Sequence, residues 1–518
     1  MRKSLWIVVG AVVACGGSMF SGFHFDDYGM LQDPAVVSLG NWTLWQTRPL
    51  TWFTFWLNYQ ISGRNPILWH AVNLALHVAC AVLLYRLLMR FLPKAALFGA
   101  LIFAVHPMQS EAVDYVYARA IVLSTLFCIL AMDAWTRERP WRSVAWFTLA
   151  VLSKEECVSL PMVLALYSLI LRAKPLPHGR GSEAAPNRRG AGENGCAAGQ
   201  TTENDGLPHG RAEGLLHIPM AAMCGVALLS GLRVIAAIHA TGMKNIGANA
   251  GISPAGYLSE QGIAILRYFG LLIFPWFFSV DPLIPTPPWI WRMLAWLVVL
   301  SLTVLAARRV RKVPAAFCLL AGFILLIPSS SIFPAADLAA DRRMYLPMLA
   351  FAPAMALMIP ARHVLVAAVL AALSIGRAYV WASDERLWSE AAAQAPDKIR
   401  PILQLSRAIA PDRAAELLQR AEAANPNDPD IPGELARIDL ELNRPADALA
   451  QAGRALALAP RDPHALNNRG AVLLALNQTA AARGDFLAAL RIDPCLSEAR
   501  ENLERSGGIP ADAPRCPR

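Results

Sequence analysis

Two adjacent carboxylates, Asp26 and Asp27, stand just beyond the first apolar run of the chain, in Phe23-His24-Phe25-Asp26-Asp27-Tyr28. Placing two like charges at the mouth of a membrane helix is costly, which favours a chemical role over a decorative one. One carboxylate can take the proton of an attacking hydroxyl, or the pair can hold a divalent ion. The competing reading is a polar flank or helix N-cap. The loop they open, residues 23–68, carries Trp42, Trp45, Arg48, Trp52, Phe53, Phe55, Trp56 and Tyr59, amphipathic aromatics suited to a bilayer interface.

Three further charged stretches interrupt apolar sequence. His106 to Val113 offers Glu111 as a second acid, and Arg119 beyond it could hold a phosphate; the alternative is a solvated loop with a capping Glu. Ser153-Lys154-Glu155-Glu156 breaks a long apolar run, so these charges need partners or a water-filled cavity. Lys154 suits a phosphate there, and a self-neutralising Lys–Glu pair is the alternative. Arg342 and Arg343, with Tyr345 beside them, match phosphate oxygens bidentately. His70, Asn73 and His77 share one helix face at i, i+3 and i+7, as glue between helices or as cavity lining; His106 and Glu155 are further lining candidates.

The elements that must hold these groups are membrane helices. Of the 518 residues 55% are hydrophobic and 16% charged, and mean hydropathy is +0.38, too apolar for a soluble protein. Apolar segments near residues 5–22, 69–91, 95–108, 119–135, 142–172, 215–240, 261–280, 289–307, 314–332, 345–361 and 363–381 suggest ten to twelve crossings. The basic flanks Arg2-Lys3, Lys94, Arg137 to Arg142, Arg308 to Lys312 and Arg362 belong inside, which sends all four charged stretches and the C-terminal region outward. One conflict stays open: if 142–172 is a broken pair of helices, two more crossings between 215 and 280 put residue 281 on the wrong side. Keeping residues 5–22 as a helix, rather than a cleaved signal, places Asp26 and Asp27 outside.

The formal net charge is +9, yet from residue 382 onward 17 Lys and Arg face 20 Asp and Glu, against 30 and 18 before it. The basic excess thus belongs to the membrane part and implies no nucleic acid. Residues 174–214, in which Leu-Pro-His-Gly-Arg occurs twice, read as a disordered insertion. Beyond 381, Pro426, Pro460 and Pro494 recur at 34 residues, the tetratricopeptide period, over a repeat domain of residues 382–508 followed by a disordered tail, 509–518. Of nine cysteines most are buried hydrophobes; Cys495 and Cys516 could form one disulfide in an oxidising compartment. The fold class is all-α: a polytopic helical bundle over residues 1–381 followed by a short α-solenoid. Four outward stretches with carboxylates and cations suit a lipid-phosphate donor whose head group meets an acceptor at the bilayer surface.

Phe25-Asp26-Asp27, Arg48-Pro49-Leu50-Thr51, Trp69-His70-Ala71-Val72-Asn73 with His77, His106-Pro107 with Glu111, Leu152-Ser153-Lys154-Glu155 and Asp341-Arg342-Arg343-Met344-Tyr345-Leu346-Pro347, in this order and joined to repeats, resemble the transmembrane and tetratricopeptide-repeat O-mannosyltransferases of the GT-C glycosyltransferase superfamily. The resemblance implies transfer of a sugar, mannose in the family, from a polyprenyl-phosphate carrier to Ser or Thr of a protein on the exoplasmic face. In that reading Asp27 or Asp26, with Asp27 slightly ahead, is the general base, and Arg48, Arg119, Lys154, Arg342, Arg343 and Tyr345 serve the donor phosphate. The membrane is the plasma membrane of a bacterium or the endoplasmic reticulum of a eukaryote, with the repeats outside or in the lumen. A divalent metal is left open. The rivals are a non-enzymatic repeat scaffold and an oligosaccharide ligase or polymerase.

Overall fold

Proline opens most of the long helices, at the first-turn positions where its missing N–H costs nothing. The computed structural model describes residues 2–170, 209–241, 252–331, 334–335, 337–359 and 362–516, so residues 174–208 of the expected insertion lie outside the described residues. The chain folds as helices α1 (Arg2–Cys15), α2 (Asp26–Gln32), α3 (Pro49–Ser62), α4 (Pro66–Phe91), α5 (Pro93–Val105), α6 (Arg119–Thr136), α7 (Pro140–Ser153), α8 (Leu160–Ile170), α9 (His209–Thr241), α10 (Pro254–Ile273), α11 (Trp289–Arg309), α12 (Pro314–Leu326), α13 (Met348–Met358) and α14 (His363–Trp381). Eight repeat helices follow: α15 (Asp384–Gln394), α16 (Ile399–Ala408), α17 (Pro411–Ala424), α18 (Asp430–Glu441), α19 (Pro445–Leu458), α20 (Pro463–Ala475), α21 (Thr479–Ile492) and α22 (Ser497–Arg505).

Among the described residues six helical spans are long and apolar enough to cross a membrane, in α1, α4, α6, α9, α11 and α14, or seven if α5 and the short helix bent from it by 54° count as one. Pro314–Ser329 and Met348–Met358 are shorter apolar pieces. The larger number expected from sequence included such pieces and the two arms α7 and α8. Those arms form a hairpin. Trp135 at the end of α6 donates to Ser168 near the end of α8 at 3.0 Å, and Phe91 at the end of α4 meets Tyr167 edge-on at 5.9 Å. The turn at Lys154 to Ser159 therefore lies at the opposite end of the bundle. α10 is not among the spans: its Tyr257, Gln261, Arg267 and Tyr268 all bond to residues 329–343, so it lies along that loop.

Small residues set how closely the elements approach. A Cβ on Gly99 of α5 would meet the Pro353 backbone of α13 at 2.9 Å, so these helices cross at glycine distance. The aromatics expected along the membrane surface divide: Phe55 is buried, with Met30, Leu31, Val36, Val116 and Trp69 of α4, whereas Trp45 is 85% exposed. Burial of one such ring contributes about 1.5–3 kcal/mol. Thus the first loop has its own core, which fixes the Asp26-Asp27 turn.

The chain divides into two compact units, residues 1–276 with 286–378, and 277–285 with 379–518. In the second, Ala448, Ala452, Ala455, Ala482, Phe486, Ala489 and Leu490 are buried, the small-and-bulky alternation that spaces stacked repeat helices. Gly470 lies under the Phe486 ring, where a Cβ would stand 2.6 Å from it. Residues 277–285 belong here because Asp281, 2% exposed, pairs with Lys398 and Arg400. The tail beyond 508 was expected to be disordered, but residues up to 516 fold back on α22. Cys516 is bonded to Cys495, Ala513 is buried in the last repeat's core, and Arg500 donates to the Pro514 carbonyl at 2.6 Å.

Candidate functional site

The two aspartates do different work. Asp27 is fully buried; its carboxylate accepts the His24 amide at 3.0 Å and the Tyr117 amide at 2.7 Å, tying the turn to the chain ahead of α6. Burial pushes its pKa up to about 7, against the lowering effect of those two amides and of His24. Asp26 is exposed, and accepts the Tyr115 hydroxyl at 2.8 Å while its own amide donates to the same oxygen at 3.2 Å. The preceding Phe25 is held at φ 43, a conformation costly for a residue with a Cβ, so the turn is over-determined by its surroundings. Asp26, not Asp27, is the carboxylate free to meet a substrate. Both Asp27 oxygens accept backbone amides, and among the described residues no three His, Cys, Asp or Glu side chains gather as metal ligands.

Around Asp26 the fold collects charge from the other three stretches. Arg48, also at a left-handed φ of 55, donates to Glu155 through Nε at 3.0 Å and Nη2 at 2.5 Å. Glu155 holds the guanidinium charged against its own burial, which acts the other way. Thr51 pins the turn by donating to the Ser153 carbonyl at 2.9 Å. Lys154, 5% exposed, pairs with Glu156 at 3.0 Å and feels the charges of Arg48 and Arg342. Arg342 is ion-paired with Glu111, whose second oxygen accepts the Arg342 amide at 2.8 Å. Tyr115 senses both Asp26 and Arg342, and Tyr117 senses Asp26, Arg48 and Glu155. Asp26, Glu111, Arg48, Lys154, Glu155 and Arg342 are thus neighbours in one polar cluster.

The other expected site residues are structural. Arg119 is fully buried, donating to Asn73 and Asn58 Oδ1 at 2.8 Å each and to the Trp69 carbonyl at 3.1 Å, with Phe55 and Trp69 over its guanidinium. Its donors are committed, so it is not placed to hold a phosphate. Arg343, 8% exposed, donates to the carbonyls of Asp337 and Leu338 and to Tyr257, leaving Arg342 as the arginine of the pair that faces the cluster. Tyr345 is buried and bonded to His77 at 2.7 Å. His77 also meets the Ala104 carbonyl, His70 the Gly22 carbonyl, Asn73 the carbonyls of Val113 and Tyr115, and His106 the Leu272 carbonyl and Met108 amide. These four join helices and loops.

Sequence reasoning missed Tyr115 and Tyr117, whereas Glu156 completes with Lys154 the Lys–Glu pair that the sequence offered as the alternative. A Tyr-x-Tyr between Glu111 and Arg119 was the available signal for the first two. Arg233 also escaped notice: the lone Lys, Arg, Asp or Glu of the α9 span, it donates to the Leu44 carbonyl at 3.3 Å and lies near Glu155.

An apolar helical bundle with a polar cluster at one end, continued by helical repeats, defines an all-α membrane protein with a tetratricopeptide domain. A profile described as tetratricopeptide repeat matches residues 410–467. The chain is related to the transmembrane and tetratricopeptide-repeat O-mannosyltransferases. It is 31% identical over 199 residues to protein O-mannosyl-transferase TMTC3 of Homo sapiens, covering 33% of this chain and 22% of that protein. It is 40% identical over 93 residues to TMTC1 of Homo sapiens (17% and 10%) and 30% identical over 157 residues to TMTC4 of Homo sapiens (24% and 21%). The chain therefore matches about a fifth or less of the length of these curated relatives. Among solved structures yeast Tom70 covers 84% of the chain and 88% of its own, but at a TM-score of 0.24 and 13% identity this likeness says nothing about the fold.

Proposed function

We propose that this chain is a membrane glycosyltransferase that moves a sugar, mannose by analogy with the names of its relatives, from a polyprenyl-phosphate carrier to Ser or Thr of a protein acceptor. The observation that carries the reading is Asp26: an exposed carboxylate, oriented by Tyr115, that shares the neighbourhood of Tyr115 and Tyr117 with two partly exposed arginines, Arg342 and Arg48. Asp26 takes the proton of the acceptor hydroxyl as its oxygen attacks the anomeric carbon. The bond from that carbon to the phosphate oxygen breaks on the opposite face, inverting the centre, and its electron pair leaves with polyprenyl phosphate. Arg48 and Arg342, with Lys154 between them, offset the charge developing on that phosphate. The repeats are the natural place for a protein acceptor to be held.

The cluster is proposed to face the exoplasmic side. With α7 and α8 as separate arms and α10 not counted as a pass, passes by α1, α4, α5, α6, α7, α8, α9, α11, α12, α13 and α14 keep every basic flank inside and bring the repeats outside. The Cys495–Cys516 bond agrees, since such bonds persist in oxidising compartments.

Purified protein in nanodiscs, given polyprenyl-phosphate mannose, a lipid-linked oligosaccharide and an acceptor peptide, tests the reading. Mannosyl transfer that vanishes in Asp26→Asn supports it. Transfer of the oligosaccharide alone would make the protein a ligase, and no transfer by the parent would leave a scaffold.

A further inference from the structure

We infer that the polar face of α10 is a clamp that positions Arg342, with Tyr268 and Arg267 as its positioning residues; the kinetic part of this inference rests on the reading above. The sequence gives no hint of it, since Arg267 and Tyr268 sit in a segment apolar enough to be taken for a crossing. In the fold this face grips the residues immediately before Arg342. The Tyr268 hydroxyl accepts the Ala340 amide at 3.0 Å and donates to the Ala340 carbonyl at 3.1 Å, fixing the two peptide units that flank this residue. Arg267 pairs with Asp341 at 2.6 Å, and Asp341 is 4% exposed. Gln261 donates to the Leu338 carbonyl at 3.0 Å, and Tyr257 accepts from Arg343 at 3.1 Å.

Four side chains from one helix therefore hold residues 338–343, and Arg342 is the member of that run turned to Glu111 instead of to α10. The division is physical: Arg343 is consumed in closing the clamp, and Arg342 is left with a fixed backbone and a partly exposed guanidinium. Arg267 adds a second link, because it also feels the charge of Glu111, the partner of Arg342. A cation that must meet charge developing in a transition state acts best when it is already in place, so loosening its backbone should lower turnover more than donor binding.

Tyr268→Phe removes both bonds to Ala340 and keeps the ring. In the nanodisc assay kcat should fall about tenfold with KM for the lipid donor little changed, because a group misplaced by a fraction of an ångström loses transition-state contact first. Arg267→Lys, which keeps the charge opposite Asp341, should retain more activity than Arg267→Ala. On an Arg342→Ala background Tyr268→Phe should cost nothing further, whereas additive losses would overturn the claim that it acts through Arg342. Independently of activity, amide hydrogen exchange over residues 338–343 should speed up in Tyr268→Phe, and unchanged exchange there would overturn the clamp. A parent protein that transfers no sugar would sink the proposed function while the exchange measurement still decides the clamp.

Discussion

The Tyr115 hydroxyl donates to the Asp26 carboxylate at 2.8 Å and accepts the Asp26 amide at 3.2 Å, so one phenol fixes both the side chain and the backbone of the exposed aspartate. Eighty-nine residues separate them in sequence. Tyr115→Phe should leave the protein folded and lower kcat by about tenfold, since the carboxylate keeps its chemistry but loses its orientation. Transfer rates in nanodiscs, with KM measured alongside, check this.

The aspartate pair should separate cleanly by mutation. Asp26→Asn removes the base proposed above and should cut transfer by about 10²–10⁴-fold with little change in stability. Asp27→Asn puts an amide where two backbone N–H groups need an acceptor, and should cost about 1–3 kcal/mol of stability. Thermal melts and turnover measured on the same preparations distinguish the two.

Stability should also depend on pH through Asp27. Its pKa in the fold, raised by burial to about 7, lies above that of an exposed carboxylate, so the folded state binds the proton more tightly and is favoured at low pH. As pH rises from about 5 to 8 the parent should lose stability relative to Asp27→Asn, by an amount on the order of a few kcal/mol. Melting temperatures of both proteins at pH 5 and pH 8 give the comparison; a constant difference would contradict it.

Arg119 looked like a phosphate ligand and should behave as a keystone. Arg119→Ala leaves Asn58, Asn73 and the Trp69 carbonyl unpaired in the interior, at a cost of about 3 kcal/mol or more. The expected result is loss of folded protein on size-exclusion chromatography, in place of a raised donor KM.

Much of this was legible in the chain and some was not. The 34-residue period, the apolar runs and the position of Asp26-Asp27 follow from local pattern. The i, i+3, i+7 spacing of His70, Asn73 and His77 put them on one helix face with joining and lining both open, and each bonds a backbone carbonyl. Which aspartate is exposed was not legible, because Asp27 is claimed by the Tyr117 amide, 90 residues away. Arg119 and Arg342 look alike in sequence; only the fold reveals that asparagines on α3 and α4 saturate one while Glu111, with Asp337 at 3.9 Å, meets the other. The polar face of α10 was hidden for a similar reason: Tyr257, Gln261, Arg267 and Tyr268 are diluted by apolar neighbours, and only the loop they grip makes them a face.

The Cys495–Cys516 bond closes a 21-residue separation over the last repeat, so breaking it should cost about 3 kcal/mol in that unit. Cys516→Ser, or reductant, should lower the melting transition of the repeats and open residues beyond 508 to protease, without changing the spectrum of the membrane helices.

The hairpin of α7 and α8 has one more effect. α8 ends at Ile170 beside the α6 terminus, and α9 starts at His209, many turns before Arg233 reaches Leu44 and Glu155 near the polar cluster. The chain therefore leaves and rejoins the bundle at the pole remote from Asp26. Evolution can lengthen, shorten or rewrite the connection between Ile170 and His209 without disturbing the chemistry, and an affinity tag or fluorescent reporter spliced there should travel with a working protein.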